Sequence, residues 1–200
     1  MTDPARETLT REAVLAASRD LIERDGLDNL SLRRVGAELG VTAPALYAYV
    51  TDKRDLLRGV AEAEFAGLLE RFAAVDDPDP RQRLRQLSRA YVDYAAENPE
   101  LFKTMFIFPP EIDFGGATGE ELPIATQAFT FAVDSIRDAV AAGEIRDDLD
   151  PLLITFTSWV STHGLAMVLN LGFVLDAPTR DLLIDLVLDT VLKGLEPDAG

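Results

Sequence analysis

Between Ser31 and Leu57 the chain reads Ser-Leu-Arg-Arg-Val-Gly-Ala-Glu-Leu-Gly-Val-Thr-Ala-Pro-Ala-Leu-Tyr-Ala-Tyr-Val-Thr-Asp-Lys-Arg-Asp-Leu-Leu, and three helix starts fall within it. Ser31, Thr42 and Asp52 each offer a side-chain oxygen to first-turn amides that have no intrahelical partner. Asp55, three residues after Asp52, makes a capping-box variant, and Pro44 is tolerated because its missing N–H falls in a first turn. Gly40 stops the first of these helices, since glycine accepts the left-handed backbone there at no steric cost. Two short helices that cross steeply need a small residue at their contact, a turn residue with φ > 0, and an apolar lock on the second helix. Gly36, Gly40 and Leu46 occupy those places, with Val35, Leu39 and Val41 completing a small core. The spacing fits either a corner in an ordinary helical bundle or a helix-turn-helix, in which one helix lies against a duplex while its neighbour braces it.

The rest of the chain is punctuated in the same way. Thr10 caps a helix striped by Val14, Ala17, Ser18 and Leu21, which Asp25-Gly26 ends. The helix from Lys53 runs to about residue 75 through Leu56, Leu57, Val60, Ala61, Phe65, Leu68 and Phe72 and is long enough to connect two domains. Asp76 to Pro80 is the clearest break. Beyond it come a helix marked by Leu84, Leu87, Tyr91, Val92 and Ala95, an aromatic-rich one opened by Asn98-Pro99, and a Pro/Gly loop from Pro109 to Gly119 that reads as mobile. Three more helices follow, over 120–142 up to Gly143, from Asp150-Pro151, and from Pro178-Thr179 to about Leu195. No stretch alternates like a strand. The expectation is an all-α protein of about nine helices, with a first domain over 1–58, a connecting helix over 53–75 and a second domain over 76–200.

Composition excludes much. With no cysteine there is no disulfide scaffold, thiolate metal site or cysteine nucleophile. No glycine-rich phosphate loop or paired-carboxylate spacing supports catalysis. An enzyme would have to rely on His163 with Ser158 or Ser161, so no enzyme is expected, nor any metal or cofactor. The opening residues do not read as a basic-then-apolar leader, and a cytoplasmic location is expected. Net charge is −16, spread unevenly: residues 1–58 hold nine basic and ten acidic residues, whereas 59–200 hold ten and twenty-five. Such a split hints at two jobs, and the repulsion that keeps acidic proteins from nucleic acid is centred outside the first 58 residues.

The pattern Val41-x-x-Pro44-x-Leu46-Tyr47-x-x-Val50-x-x-Lys53-Arg54-x-Leu56-Leu57, with Leu30-Ser31-x-Arg33 and Asp25-Gly26-Leu27 before it, closely resembles the DNA-binding segment of TetR-family repressors. The specific likeness covers about residues 10–58. It implies a bacterial, ligand-responsive regulator, most often a repressor, with a three-helix DNA-binding domain and a helical ligand-binding and dimerisation domain. On that resemblance Thr42, Tyr47 and Lys53 anchor the DNA backbone, which fixes register without reading sequence. Arg33 matches a position that reaches a base edge, where bidentate pairing with guanine suits arginine. Ala43, Pro44, Ala45, Ala48 and Tyr49 face or border the groove. The alanines depart from the more polar pattern of the family; they touch thymine methyls but form no hydrogen bonds, so DNA shape and the spacing of two half-sites share the readout.

Pro151 to Leu175 carries no charge in 25 residues, long enough for a membrane span, yet it includes Thr155, Thr157, Ser158, Ser161, Thr162, His163 and Asn170 between acidic flanks. A helix apolar nearly all round is buried on several sides, and the expectation is its own domain on one side and a twin subunit on the other, with no membrane. Val160, Leu165, Val168, Leu182, Leu186, Val187 and Val191 are the candidate dimer contacts, and Asp181, Asp185 and Asp189 read as a solvated face, not a metal site. Trp159-x-x-x-His163-Gly164 resembles a motif in one group of TetR-family ligand-binding domains. Trp159 and His163 either border an effector pocket with Phe102, Met105, Phe106 and Phe129 or belong to plain core. A pocket so lined suits an apolar or aromatic small molecule with one or two polar handles. The expected partners are an operator duplex, a small-molecule effector and a second copy. The alternative is a dimeric small-molecule-binding module whose DNA binding is weak or lost.

Overall fold

A computed structural model describes residues 9–108 and 122–197, and among them the secondary structure is helical throughout. The helices are α1 (Arg11–Asp25), α2 (Leu32–Glu38), α3 (Ala43–Leu46), α4 (Lys53–Ala73), α5 (Pro80–Glu97), α6 (Pro99–Met105), α7 (Pro123–Ala141), α8 (Pro151–Leu169) and α9 (Ala177–Gly194). The all-α expectation holds, and the boundaries follow the caps. Thr10 accepts from Ala13 N–H, Ser31 from Arg34 N–H and Asp150 from Leu152 N–H, while Gly26, Gly40 and Gly143 take positive φ.

Local chemistry differs from expectation at four helix ends. A 3-10 turn, Leu27–Asn29, joins α1 to α2. Thr42 precedes α3 without capping it through its hydroxyl. Asn98 closes α5, its amide donating to the Tyr94 carbonyl, and so serves the helix behind it. Asp176 caps α9 through Thr179 N–H, which starts that helix one residue before Pro178. The Pro109–Gly119 loop lies outside the described residues.

Packing divides the chain into two units. The first takes residues up to Phe65 together with those from Pro99 to Phe108 and Leu122; the second takes Ala66–Asn98 and the chain from Pro123 onward. The compositional break at Asp76–Pro80 is therefore not the packing boundary, because α6 joins the first unit. Leu101 is fully buried among Val14, Leu21, Ile22, Leu30, Val35, Leu46 and Val60, and Phe106 meets Phe65 edge-on with ring centres 5.7 Å apart. In the second unit α5 packs on α7, α8 and α9. One core there gathers Leu84, Ile136, Ala139, Ile145, Ile154 and Leu192, and another Val92, Leu165, Ile184 and Leu188.

α8 has the length and apolarity of a membrane span. The hydroxyls of Thr155, Thr157, Ser158, Ser161 and Thr162 all donate to carbonyls one turn back, so they do not count against a lipid environment as the sequence suggested. What places this helix in a protein core is its buried face of Ile154, Thr155, Thr162, Leu165 and Ala166 against the neighbouring helices.

Candidate nucleic-acid interface and sensor cluster

The turn between α2 and α3 closes tightly over Gly36. A Cβ on Gly36 would lie 2.9 Å from the Val41 carbonyl oxygen and 3.2 Å from Ala43 N, and Val41 N–H closes the turn by donating to Gly36 O at 2.8 Å. Gly40 sits at φ +67, where any other residue is strained. Leu46 is fully buried and Val50 nearly so, and together they fasten the short α3 to the core under α1 and α4. This is the geometry a helix-turn-helix requires, built by the residues that the spacing pointed to.

The outer surface carries the expected DNA-contact residues. Arg33, Thr42, Pro44, Ala45, Tyr47, Ala48 and Lys53 are exposed, Tyr47 to 59%, while Ala43 and Tyr49 are half-buried and Tyr49 packs on the core. The adjacent arginines of α2 have different fates. Arg34 pairs with Asp25 and donates to the Asn29 carbonyl, which ties α2 to the end of α1. Arg33 projects outward without an ion pair among the described residues, a guanidinium available to a ligand.

Three further residues hold this surface in place. Arg11, at the start of α1, donates to the Tyr49 carbonyl at 2.6 Å and forks onto Asp55 at 2.7 and 3.2 Å. The Asp55 carboxylate also accepts from Thr51 N–H at 2.8 Å, one residue short of the capping-box partner, and its pKa is lowered chiefly by the Arg11 bond. Glu100 of α6 accepts from Leu27 N–H at 3.2 Å, and its pKa is lowered by Lys103 and by that amide. Arg11 and Glu100 escaped the sequence reading because their partners lie 44 and 73 residues away, beyond any local pattern.

In the second unit the motif on α8 finds a partner on α5. Trp159 Nε1–H donates to the Tyr91 hydroxyl at 3.2 Å, and that hydroxyl lies 2.7 Å from His163 Nδ1. The indole is a donor only, so the Tyr91 oxygen accepts from Trp159 and is also hydrogen-bonded to His163 Nδ1. Burial lowers the His163 pKa and raises that of Tyr91. Phe129 and Phe156 flank Trp159 with ring centres 6.3 and 5.7 Å away. The six residues expected to share a pocket are thus split between units. Phe102 and Met105 are fully buried in the first, with Phe106 beside Phe102, whereas Phe129, Trp159 and His163 gather around Tyr91 in the second.

The outer faces of α8 and α9 need two corrections. Leu165, expected at a dimer contact, is 7% exposed and belongs to its own unit's core, because positions 154, 155, 162, 165 and 166 form the inward face of α8. Val187 and Val191 are half-buried against the two cores. Val160, Val168, Leu182 and Leu186 are exposed, as are Leu153 and Leu171. The aspartates of α9 are not a plain solvated face. Asp181 pairs with Arg89, and Asp185 and Asp189 pair with Arg85, forming an ionic ladder onto α5. No group of three or more metal-ligating side chains occurs among the described residues.

Comparison with known proteins places both units. Residues 14–60 match the bacterial regulatory proteins of the tetR family, and residues 84–191 match the tetracyclin repressor-like C-terminal domain. An HTH-type transcriptional regulator of Mycobacterium tuberculosis is 23% identical over 193 residues, covering 94% of this chain and 82% of the relative. Among solved structures, a Rhodococcus protein of unknown function shares the fold with TM-score 0.80 and 26% identity, covering 97% of this chain and 99% of that one. AibR, solved with isovaleryl coenzyme A and operator DNA, aligns with TM-score 0.61 and 19% identity over 92% and 97% of the two chains.

Proposed function

This chain belongs to the TetR family of bacterial transcriptional regulators, and from that premise we propose a repressor that binds a palindromic operator as a homodimer and is released by a small apolar or aromatic effector. The family binds DNA and small-molecule ligands. The observation that carries the reading is the braced helix-turn-helix, with Arg33, Thr42, Tyr47 and Lys53 all exposed on it. Thr42, Tyr47 and Lys53 supply backbone contacts; Arg33 supplies base readout; Ala43, Pro44, Ala45, Ala48 and Tyr49 border the groove with little hydrogen-bonding capacity.

A four-residue recognition helix reads little alone, and pairing two copies multiplies weak half-site readouts. The exposed apolar residues Leu153, Val160 and Val168 on α8 and Leu171 just beyond its end, with Leu182 and Leu186 on α9, are the surface for that pairing. Spacings of seven and eight residues along α8 and of four along α9, close to whole turns, keep each set on one side of its helix. In the second unit Phe129, Trp159 and His163, now with Tyr91, are the effector-contact candidates. The cluster joins aromatic rings with a few polar atoms, Trp159 Nε1, the Tyr91 hydroxyl and His163 Nδ1, which suits an aromatic or apolar ligand with one or two polar handles.

Selection of duplexes from a randomised pool tests the DNA arm. Enrichment of an inverted repeat supports the proposal, and enrichment of nothing at low salt supports the alternative of a ligand-binding module without DNA activity. Trp159 is the chain's single tryptophan, so its fluorescence reports directly on candidate effectors. By linkage, an effector that weakens duplex binding by a given factor must itself bind less tightly by the same factor when the duplex is present. Sedimentation of Leu182→Glu should show monomers where the unaltered chain shows dimers.

A further inference from the structure

Resting on the DNA-binding reading, we propose that Arg11 is a positioning residue for the recognition segment: it fixes the exit of α3 by bonding the Tyr49 carbonyl and the Asp55 carboxylate together. α3 has only four residues, and the backbone bonds at its ends are short-range: Ala45 N–H to Thr42 O, Tyr47 N–H to Pro44 O, and Tyr49 and Val50 N–H both to Leu46 O. A helix this short does not hold its direction by itself. Its floor is set by Leu46 and Val50 in the core. Its exit, over residues 47–52, carries the proposed DNA contact Tyr47 and leads directly to Lys53. Side-chain bonds reach this exit from α1 through Arg11 and from α4 through Asp55.

The chemistry of the clamp suits arginine. A guanidinium presents five N–H donors in a rigid plane, and here Nη1 serves both Tyr49 O and Asp55 Oδ2 while Nη2 serves Asp55 Oδ1. Asp55 in turn holds Thr51 N–H, so one ion pair spans the start of α1, the turn after α3 and the first turn of α4. Lysine, with a single mobile ammonium, cannot keep all three acceptors in that geometry. The positive charge of Arg11 is matched by Asp55 at 2.7 Å. It therefore adds little to phosphate attraction, and its effect on DNA passes through Tyr47 and Lys53. Direct anchors and positioning residues then differ in salt dependence, because only neutralised phosphates release counterions.

The test uses the full chain and a duplex enriched from a randomised pool, at a temperature where circular dichroism shows every variant folded. Arg11→Ala and Asp55→Asn should each weaken binding by about tenfold, the scale of one charge-assisted bond, and the double variant should lose little more than either alone. The slope of log affinity against log salt should stay that of the unaltered chain, and Arg11→Lys should recover part of the loss. In the free protein, amides of Val50 and Thr51 should exchange faster in Arg11→Ala while those of α9 do not. The proposal is overturned by additive losses, by wild-type affinity in Arg11→Ala, by a salt slope lowered by about one unit (which would make Arg11 a phosphate contact), or by unchanged Val50 and Thr51 exchange. A chain that enriches no duplex at all sinks the DNA-binding reading and this inference with it, whereas clamp variants that bind like an active parent sink the inference alone.

Discussion

Gly36 and Gly67 both lie inside helices, so the same substitution at each separates propensity from packing. Replacing an interior helical glycine by alanine stabilises by about 1 kcal/mol through propensity alone. At Gly67 a Cβ meets nothing within 4 Å, and Gly67→Ala should therefore stabilise by about that amount. At Gly36 the added carbon falls 2.9 Å from Val41 O, 3.2 Å from Ala43 N and 3.3 Å from the Thr42 carbonyl carbon. All three are backbone atoms, so no side chain can swing aside; the turn itself must move by several tenths of an ångström. Overpacking of this kind costs about 1–3 kcal/mol, and with the propensity gain deducted a net loss of about 0–2 kcal/mol remains. The shift is imposed on residues 41–43, from which α3 starts, so duplex affinity should fall further than stability does. Thermal melts and duplex titrations of Gly36→Ala, Gly67→Ala and the unaltered chain measure both quantities. A Gly36→Ala protein that melts higher, as Gly67→Ala should, and binds the duplex unchanged would refute the close-approach argument.

Lys53→Ala should weaken binding to all duplexes alike and lower the salt slope by about one unit; a changed base preference would remove Lys53 from the backbone anchors. Arg33→Ala should relax preference at one base pair per half-site by about 1–3 kcal/mol, measured by repeating the duplex selection, and an unaltered preference would move Arg33 to the phosphate class. Tyr91→Phe deletes the hydroxyl shared by Trp159 and His163 and should cost about 1–2 kcal/mol with a shift in tryptophan emission; unchanged melting and emission would show the cluster to be energetically idle. His163 is the chain's one histidine, and burial lowers its folded pKa. As pH drops below about 6.5 the unfolded chain takes up a proton that the folded His163 refuses, so stability must decline with falling pH in that window. Denaturant titrations between neutrality and the carboxylate range should show that slope, and His163→Gln should flatten it; an equal slope in both would place the titration elsewhere.

The helix-turn-helix and the Tyr91 cluster differed in how far the sequence disclosed them. Gly36, Gly40, Leu46 and the exposed Arg33, Thr42, Tyr47 and Lys53 came from a contiguous run in which caps, stops and contacts lie within about twenty residues of one another. The cluster on α8 did not: Trp159 and His163 stood out as a pair one turn apart, yet the phenol that both meet is Tyr91, 72 residues from His163. Phe102 and Met105 lie on α6, which packs with the first unit through Leu101 in the core beside α1 and through Glu100 on the turn at Leu27, contacts that no local pattern announces.

Helix number and extent were written locally. Thr10, Ser31, Asp150, Gly26 and Gly143 act on amides and carbonyls within four residues, and a cap works the same way whatever surrounds it. Which side of a helix turns inward was not local, because apolarity marks a face for burial without saying against what. Leu165 and Val160 sit on one helix without Asp, Glu, Lys or Arg, and the packing of α5 and α9 against it, with Val92, Ile184 and Leu188, buries the first and leaves the second exposed. In the same way Asp181, Asp185 and Asp189 became a ladder to Arg85 and Arg89 once α5 lay alongside, and Arg11 found Asp55 only through folding. An ion pair has no sequence period; its partner is whatever the packed core brings within reach.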